Sequence, residues 1–366
     1  MDLSRRTYLS LTGASAIGLA GCLGDDSTAD DLTPWDAPIG DNLATWDDLG
    51  DLSGDLTVYS GRTRDQIHPI FEQLENAYPD LEIHRDYDDN DAQVNKLIEE
   101  GDATHADIFY TQDSGALAVV KEAGLLQDLP EDIGTGLPSE RTDPDGVWMG
   151  VSGRVRAVMY NTELWDGGAD TLPTDIMEYA FDDRFRGEIS VRPNSGTFRA
   201  FIVAMLELEG ETATREWVRA MVQDQDVELY SSGSQEAEAV NNGDVTVALG
   251  NQYYAARILN EDPDAPIDVT FTEGDAGSLF NVSGIGIPAA ASNASLAAEF
   301  ARHLVAQEGQ QFFIDVNGEY PVIDGIEYIG DLPTVEQIDP PDFDLNQLGL
   351  ELTEAVDLLS EEGMTV

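Results

Sequence analysis

From Leu56 onward, short apolar runs alternate with stretches whose apolar residues recur every three or four positions. That alternation is the signature of strands and amphipathic helices stacked in α/β layers. Leu56-Thr57-Val58-Tyr59 predicts a first strand, and Ile67, Ile70, Phe71 and Leu74 the buried stripe of a helix. Leu81 to Tyr87 and Asp107 to Tyr110 predict further strands, with a helix from Ala92 to Glu99 between them. A helix starting near Ser114 should stop at Gly124, since glycine takes the left-handed conformation without steric cost.

Val151 to Tyr160 reads as a long strand that carries the chain out of this block, after which the theme repeats. Strands are predicted at Gly187 to Val191, Val227 to Tyr230 and Val245 to Leu249, and helices at Phe198 to Leu208, Thr212 to Val222 and Gln235 to Asn241. Ser283 to Pro288, with small residues at alternate positions, suits a strand crossing back; helices Leu296 to Ala306 and Gly309 to Val316 then join the first block. Asn346 to Glu362 predicts an amphipathic helix with Leu348, Leu352, Val356 and Leu359 on one face, strapped onto a lobe. The expected organisation is a discontinuous lobe 1 (54–150 and 284–345), lobe 2 (151–283) and a C-terminal helix (346–366). Two α/β lobes with two crossing strands enclose a ligand cleft that closes by hinge motion.

The first 53 residues change the picture little for the fold and much for its location. Ser4-Arg5-Arg6-Thr7-Tyr8-Leu9 precedes a weakly apolar run, Leu9 to Leu19, too short to span a bilayer, as in a twin-arginine export signal. The run closes on Leu19-Ala20-Gly21-Cys22, like a lipobox whose cysteine is acylated; Cys22 is the chain's one cysteine, so no internal disulfide forms. Residues 23–53 read as an acidic tether. The expected place is the outer face of the cell membrane, held by lipid alone.

Against 72 Asp and Glu stand 18 Lys and Arg, a net charge of −54 spread along the whole chain. Such a surface repels itself unless molar salt shortens the Debye length to about 3 Å, which points to a salt-adapted protein. No basic stripe suits nucleic acid. Enzyme signatures are missing too: no Gly-x-Ser-x-Gly elbow, phosphate-loop lysine or His-Glu-x-x-His occurs. The informative segment is Gly250-Asn251-Gln252-Tyr253-Tyr254-Ala255-Ala256-Arg257, placed just after a predicted strand, where open α/β sheets bind ligands. Residue types alone favour packing roles for the two tyrosines. A hard trivalent cation would reverse that where other partners converge, because phenolate is a strong anionic oxygen ligand.

From Leu56 to about Ile326 the sequence resembles the ferric-ion-binding proteins among the substrate-binding components of ABC importers, in a haloarchaeal-like version. The resemblance rests on Val58-Tyr59-Ser60-Gly61-Arg62, Ala106 to Thr111, Ser152-Gly153-Arg154-Val155-Arg156, Tyr160-Asn161-Thr162, Asn194-Ser195-Gly196-Thr197, Asn251-Gln252-Tyr253-Tyr254 and Glu319-Tyr320-Pro321-Val322. It implies an α/β, two-lobe periplasmic-binding-protein-like fold of type II. Tyr253 and Tyr254 would be the metal pair, and Tyr160 or Tyr59 a candidate further ligand. Ser60, Arg62, Thr63, Ser195, Gly196, Thr197 and Asn251 would hold an anion, with Gln112 and Ser232 in the cleft. Arg62 suits a planar oxyanion, or else an acidic neighbour. Thr63 replaces a frequent metal histidine of the family, Gln112 a glutamate, Phe198 a third tyrosine, and Ser232 or Gly233 an anion-binding asparagine.

The implied function is a monomeric, non-enzymatic receptor: Fe(III), with carbonate or a similar anion, enters the cleft and is passed to an ABC permease with its ATPase. The alternative keeps the receptor role for an iron-free organic or inorganic anion.

Overall fold

The computed structural model describes residues 44–130, 137–323, 326–329, 332–350 and 352–365. The export signal, Cys22 and most of the tether lie outside the described residues. Among the described residues, no helix is long and apolar enough to cross a membrane.

Nine strands follow one another in space as β2-β1-β3-β9-β4-β7-β5-β6, with β8 also on β4. In the first half, β1 (Gly54–Ser60), β2 (Leu81–Tyr87) and β3 (Ile108–Tyr110) are parallel, and β9 (Phe280–Gly286) runs antiparallel to β3. β4 (Trp148–Asn161) belongs to both halves: Trp148 to Val155 pair with β9, and Arg156 to Asn161 with β7 (Val247–Asn251) and β8 (Ile267–Thr270). β5 (Ile189–Val191) and β6 (Glu228–Leu229) extend the second half in parallel. All fourteen residues of β4 are buried, as expected of a strand covered on both faces. The fold is a mixed α/β, two-lobe binding-protein architecture.

The helices lie where periodicity places them. α1 (Arg64–Ala77) buries Ile67, Ile70, Phe71 and Leu74; α2 (Asn90–Glu100) and α3 (Ser114–Glu122) complete the first layer, and Gly124 turns the chain at φ 69°. The second lobe carries α4 (Gly196–Leu208), α5 (Glu211–Gln223), α6 (Gly233–Asn242) and α7 (Gln252–Glu261). The chain then adds α8 (Ala294–Val305) and α9 (Gln307–Phe312), which ends in a π-turn at Phe313–Asn317. α7 and β8 were not anticipated: α7 follows β7 with no turn residues to announce it, and Ile267–Thr270 is only four residues long.

The C-terminal expectation needs correction. Helix covers Gln347–Leu350 (α10) and Leu352–Glu361 (α11), and Val356, expected on the packed face, points outward at 39% exposure while Ala355, Leu358 and Leu359 are buried. α10 crosses α3 at close backbone range. A Cβ on Gly349 would fall 2.2 Å from the Gly115 carbonyl oxygen of α3, so only glycine lets these two segments approach. Beyond that crossing, Arg215 and Arg219 of α5 hold Glu361 and Glu362 at 2.8–3.3 Å.

Candidate functional site

β7 passes into α7 without a loop, so Asn251 ends the strand and Tyr253 and Tyr254 occupy the helix's first turn. Their ring centroids are 4.3 Å apart at 45°. One turn later, Arg257 lies over both rings, at 5.0 and 5.7 Å from the centroids, and its Nε donates to the Asn317 carbonyl at 2.9 Å. That pairing ties the tyrosine turn to the π-turn that ends α9. Tyr254 lies beneath the start of α6, where a Cβ on Gly233 would fall 2.2 Å from the ring's Cζ. Burial first, then the neighbouring Tyr253, holds the Tyr254 proton well above the usual phenol range, against the pull of Arg192 and Arg257.

The start of α4 meets this pair. Ser195 caps the helix, its Oγ accepting from the Phe198 N–H at 3.0 Å, and lies 3.3 Å from Thr197 Oγ1. The Asn251 amide donates to Thr197 Oγ1 at 3.1 Å and to the Tyr253 hydroxyl at 3.3 Å, and Arg192 reaches the Tyr254 hydroxyl at 3.5 Å. A helix N-terminus, a strand end and two phenols thus converge on one point, a combination that favours negative charge and offers oxygen ligands. The first lobe contributes Asp113, whose Oδ2 lies 3.8 Å from where a Cβ of Gly196 would stand and accepts from the Asn90 amide at 2.7 Å.

Ser152, Arg154 and Arg156 share one face of β4 by the two-residue alternation of a strand. Ser152 Oγ donates to Glu319 at 2.6 Å. Arg156 lies opposite Asn251 in the ladder and under the α4 start, its guanidinium 5.1 Å from the Phe201 centroid; burial lowers its pKa to about 10, against the pull of Glu236, so it stays cationic at neutral pH. Glu236 is buried and its acid is pushed up to about 8, for the same reason. Arg154, between Ser152 and Arg156 on this face of β4, is 2% exposed, with none of its three guanidinium nitrogens hydrogen-bonded to a described residue. Its ladder partner Asn281, 4% exposed, also has a free amide nitrogen, because its oxygen already accepts from Ser114.

Several expected site residues lie elsewhere or are already engaged. Arg62 is fully buried and forked onto Glu319 at 2.9 and 3.0 Å, with Ser152 at 3.1 Å; the acidic neighbour, not a free anion, occupies it. Ser60 spends its hydroxyl on the Arg62 backbone, and Thr63 caps α1 through Gln66. Tyr160 donates to Asp268 at 3.2 Å and Tyr59 to Glu100 at 3.1 Å, so both phenols already have an acidic partner. Phe198 is a core residue against Phe201. Gln112 stays on lobe 1, its N–H on Asn90, and Ser232 is half-buried at the head of α6. Ser195, Gly196, Thr197, Asn251, Tyr253 and Tyr254 are the expected residues that come together.

Arg154, Arg192 and Asp113 were missed. A signal existed for the first: two arginines two positions apart on an otherwise apolar strand, in a chain with only 18 basic residues, are costly to bury without a use.

The description "bacterial extracellular solute-binding protein" fits a family model that matches residues 103–342, and the chain belongs to that family. Its members bind solutes and are not enzymes. Among curated relatives, iron uptake protein A1 of Synechocystis sp. is 27% identical over 370 residues, covering 99% of this chain and 98% of the relative. The major ferric iron-binding protein of Neisseria meningitidis is 27% identical over 319 residues, covering 85% and 93%. Among solved structures, iron-bound HitA from Pseudomonas aeruginosa superposes with a TM-score of 0.75 at 25% identity, covering 84% of this chain and 99% of that one.

Proposed function

We propose that this protein captures ferric iron with an accompanying anion in the cleft between its lobes and hands it to an ABC permease and its ATPase. The observation that carries this reading is the convergence of Tyr253 and Tyr254 with the α4 N-terminus. Each phenol becomes an anionic oxygen ligand when the metal displaces its proton. Tyr254's raised proton affinity makes capture pH-dependent: iron must expel a firmly held proton, so affinity falls as pH falls. Named ferric binders among the relatives support the cargo. On this reading Arg5 and Arg6 direct export and Cys22 carries the lipid that keeps the receptor at the outer membrane face.

The test is a titration of iron-free protein with a ferric chelate in molar salt with bicarbonate. Phenolate-to-iron charge transfer should colour the parent. Tyr253→Phe and Tyr254→Phe should each lose about a thousandfold or more in ferric affinity while folding normally, and the double variant should stay colourless. A colourless parent, or single variants that bind like it, would overturn the ferric cargo. A second reading, a receptor for an iron-free anion, draws on the buried, unpartnered Arg154.

A further inference from the structure

We infer that the C-terminal segment from Asp339 to Glu362 ties the two lobes together, beside the β4 and β9 crossings, and weights the receptor towards its closed form. The tie rests on the two-lobe receptor reading and needs no particular cargo. Its anchors alternate between the lobes. The Asp339 carbonyl accepts from the Gly274 N–H at 2.8 Å and from Ser278 Oγ at 3.1 Å, on the lobe 2 stretch that follows β8. Further on, Asn346 is held by lobe 1: its Oδ1 accepts from Trp148 Nε1 at 3.1 Å, and its amide donates to Asp143 at 3.2 Å. α10 then lies on α3, with Gly349 against Gly115, and also touches α4; α11 packs on α4. The heads of α3 and α4 face each other across the cleft, since Asp113, the cap of α3, stands 3.8 Å from where a Cβ of Gly196 would be. Opening that separates these two helices must therefore pull the segment off one of them.

The two docks differ in kind. On lobe 1 the partners Trp148 and Asp143 are buried, and Gly349 meets Gly115 at backbone range. On lobe 2 an apolar face of Ala355, Leu358, Leu359 and Met364 is joined by charge: Arg219 forks onto both oxygens of Glu362 at 3.0 and 3.1 Å, and Arg215 reaches Glu361 at 2.8 Å. The Glu362 side chain is 11% exposed, so this bidentate pair is partly shielded from salt. α11 and the residue after it carry Glu354, Asp357, Glu361 and Glu362 and no base, in a chain of net charge −54. Without the two arginines an acidic helix would be repelled from an acidic lobe, so charge selects the docking place and the lobe 2 dock is the one that releases.

The experiment measures lobe separation in the full chain, iron-free, in molar potassium chloride, by dipolar spectroscopy between spin labels on Asp65→Cys of α1 and Glu238→Cys of α6 in a Cys22→Ser background. Arg215→Glu with Arg219→Glu should raise the ratio of long to short separations about fivefold or more. Adding Glu361→Arg and Glu362→Arg to that variant should bring the ratio back. Gly349→Ala, whose Cβ must push α10 off α3, should raise the ratio as well. The four charged side chains lie at the surface, so the charge variants carry the test even where Gly349→Ala does not fold. Because no iron is present, a colourless ferric titration leaves this result standing. The tie is overturned when the charge-reversed variant keeps the parent's separations, with or without a lower melting temperature, or when the charge-swapped variant stays as open as the reversed one.

Discussion

The two walls of the cleft are built from similar residues and differ in how fully those residues are satisfied. On the lobe 1 side, Ser60, Arg62, Thr63 and Glu319 hydrogen-bond with one another and with Gln66 and Ser152, and of the Arg62 guanidinium only Nε is left without a partner among the described residues. On the hinge and the lobe 2 side, Arg154 and Glu236 keep unpartnered polar atoms, and Tyr254 holds its proton in a buried site. A buried polar group that is satisfied stabilises the fold, and one left open costs free energy that a ligand recovers. Satisfaction, more than residue type, separates the frame from the site.

That contrast can be broken first at Glu319. Glu319→Gln strands the fully buried Arg62, and removing one partner of such a pair costs about 3–5 kcal/mol, read as a lower denaturant midpoint; the matching change Arg154→Gln should cost nothing. Equal losses at both positions would erase the distinction.

Next is pH. His303 is buried between Tyr78 and the Glu299 carbonyl, and burial pushes its pKa down to about 4. A depressed folded pKa gives stability present above about 6.5 and lost as pH falls towards 4, on the order of 3 kcal/mol. Glu236 has the opposite sign: raised to about 8, it favours folding below its unfolded pKa and loses that contribution as pH rises through 8. Melting curves of His303→Gln should lack the acid-side slope and those of Glu236→Gln the neutral-side slope. The smallest effect belongs to Thr63. If it is a cap and not a ligand, Thr63→Ala should cost about 1 kcal/mol and leave iron affinity unchanged.

Much of this could be read along the chain. Strands such as Leu81–Tyr87, the stripe of α1, the helix start at Ser195 and the tyrosine pair after a strand are set by local periodicity, capping chemistry and turn residues, which act over a few positions. Partnership is different. Glu319 reaches Arg62 from 257 residues away, Asp268 takes Tyr160 from 108 away, and Gly349 of α10 meets Gly115 of α3 at backbone contact. Sequence therefore determined which elements form and where phenols and a helix N-terminus would stand. Which arginine is neutralised and which is left open was decided only by tertiary structure, because hydrogen-bond satisfaction depends on residues that folding alone brings within 3 Å.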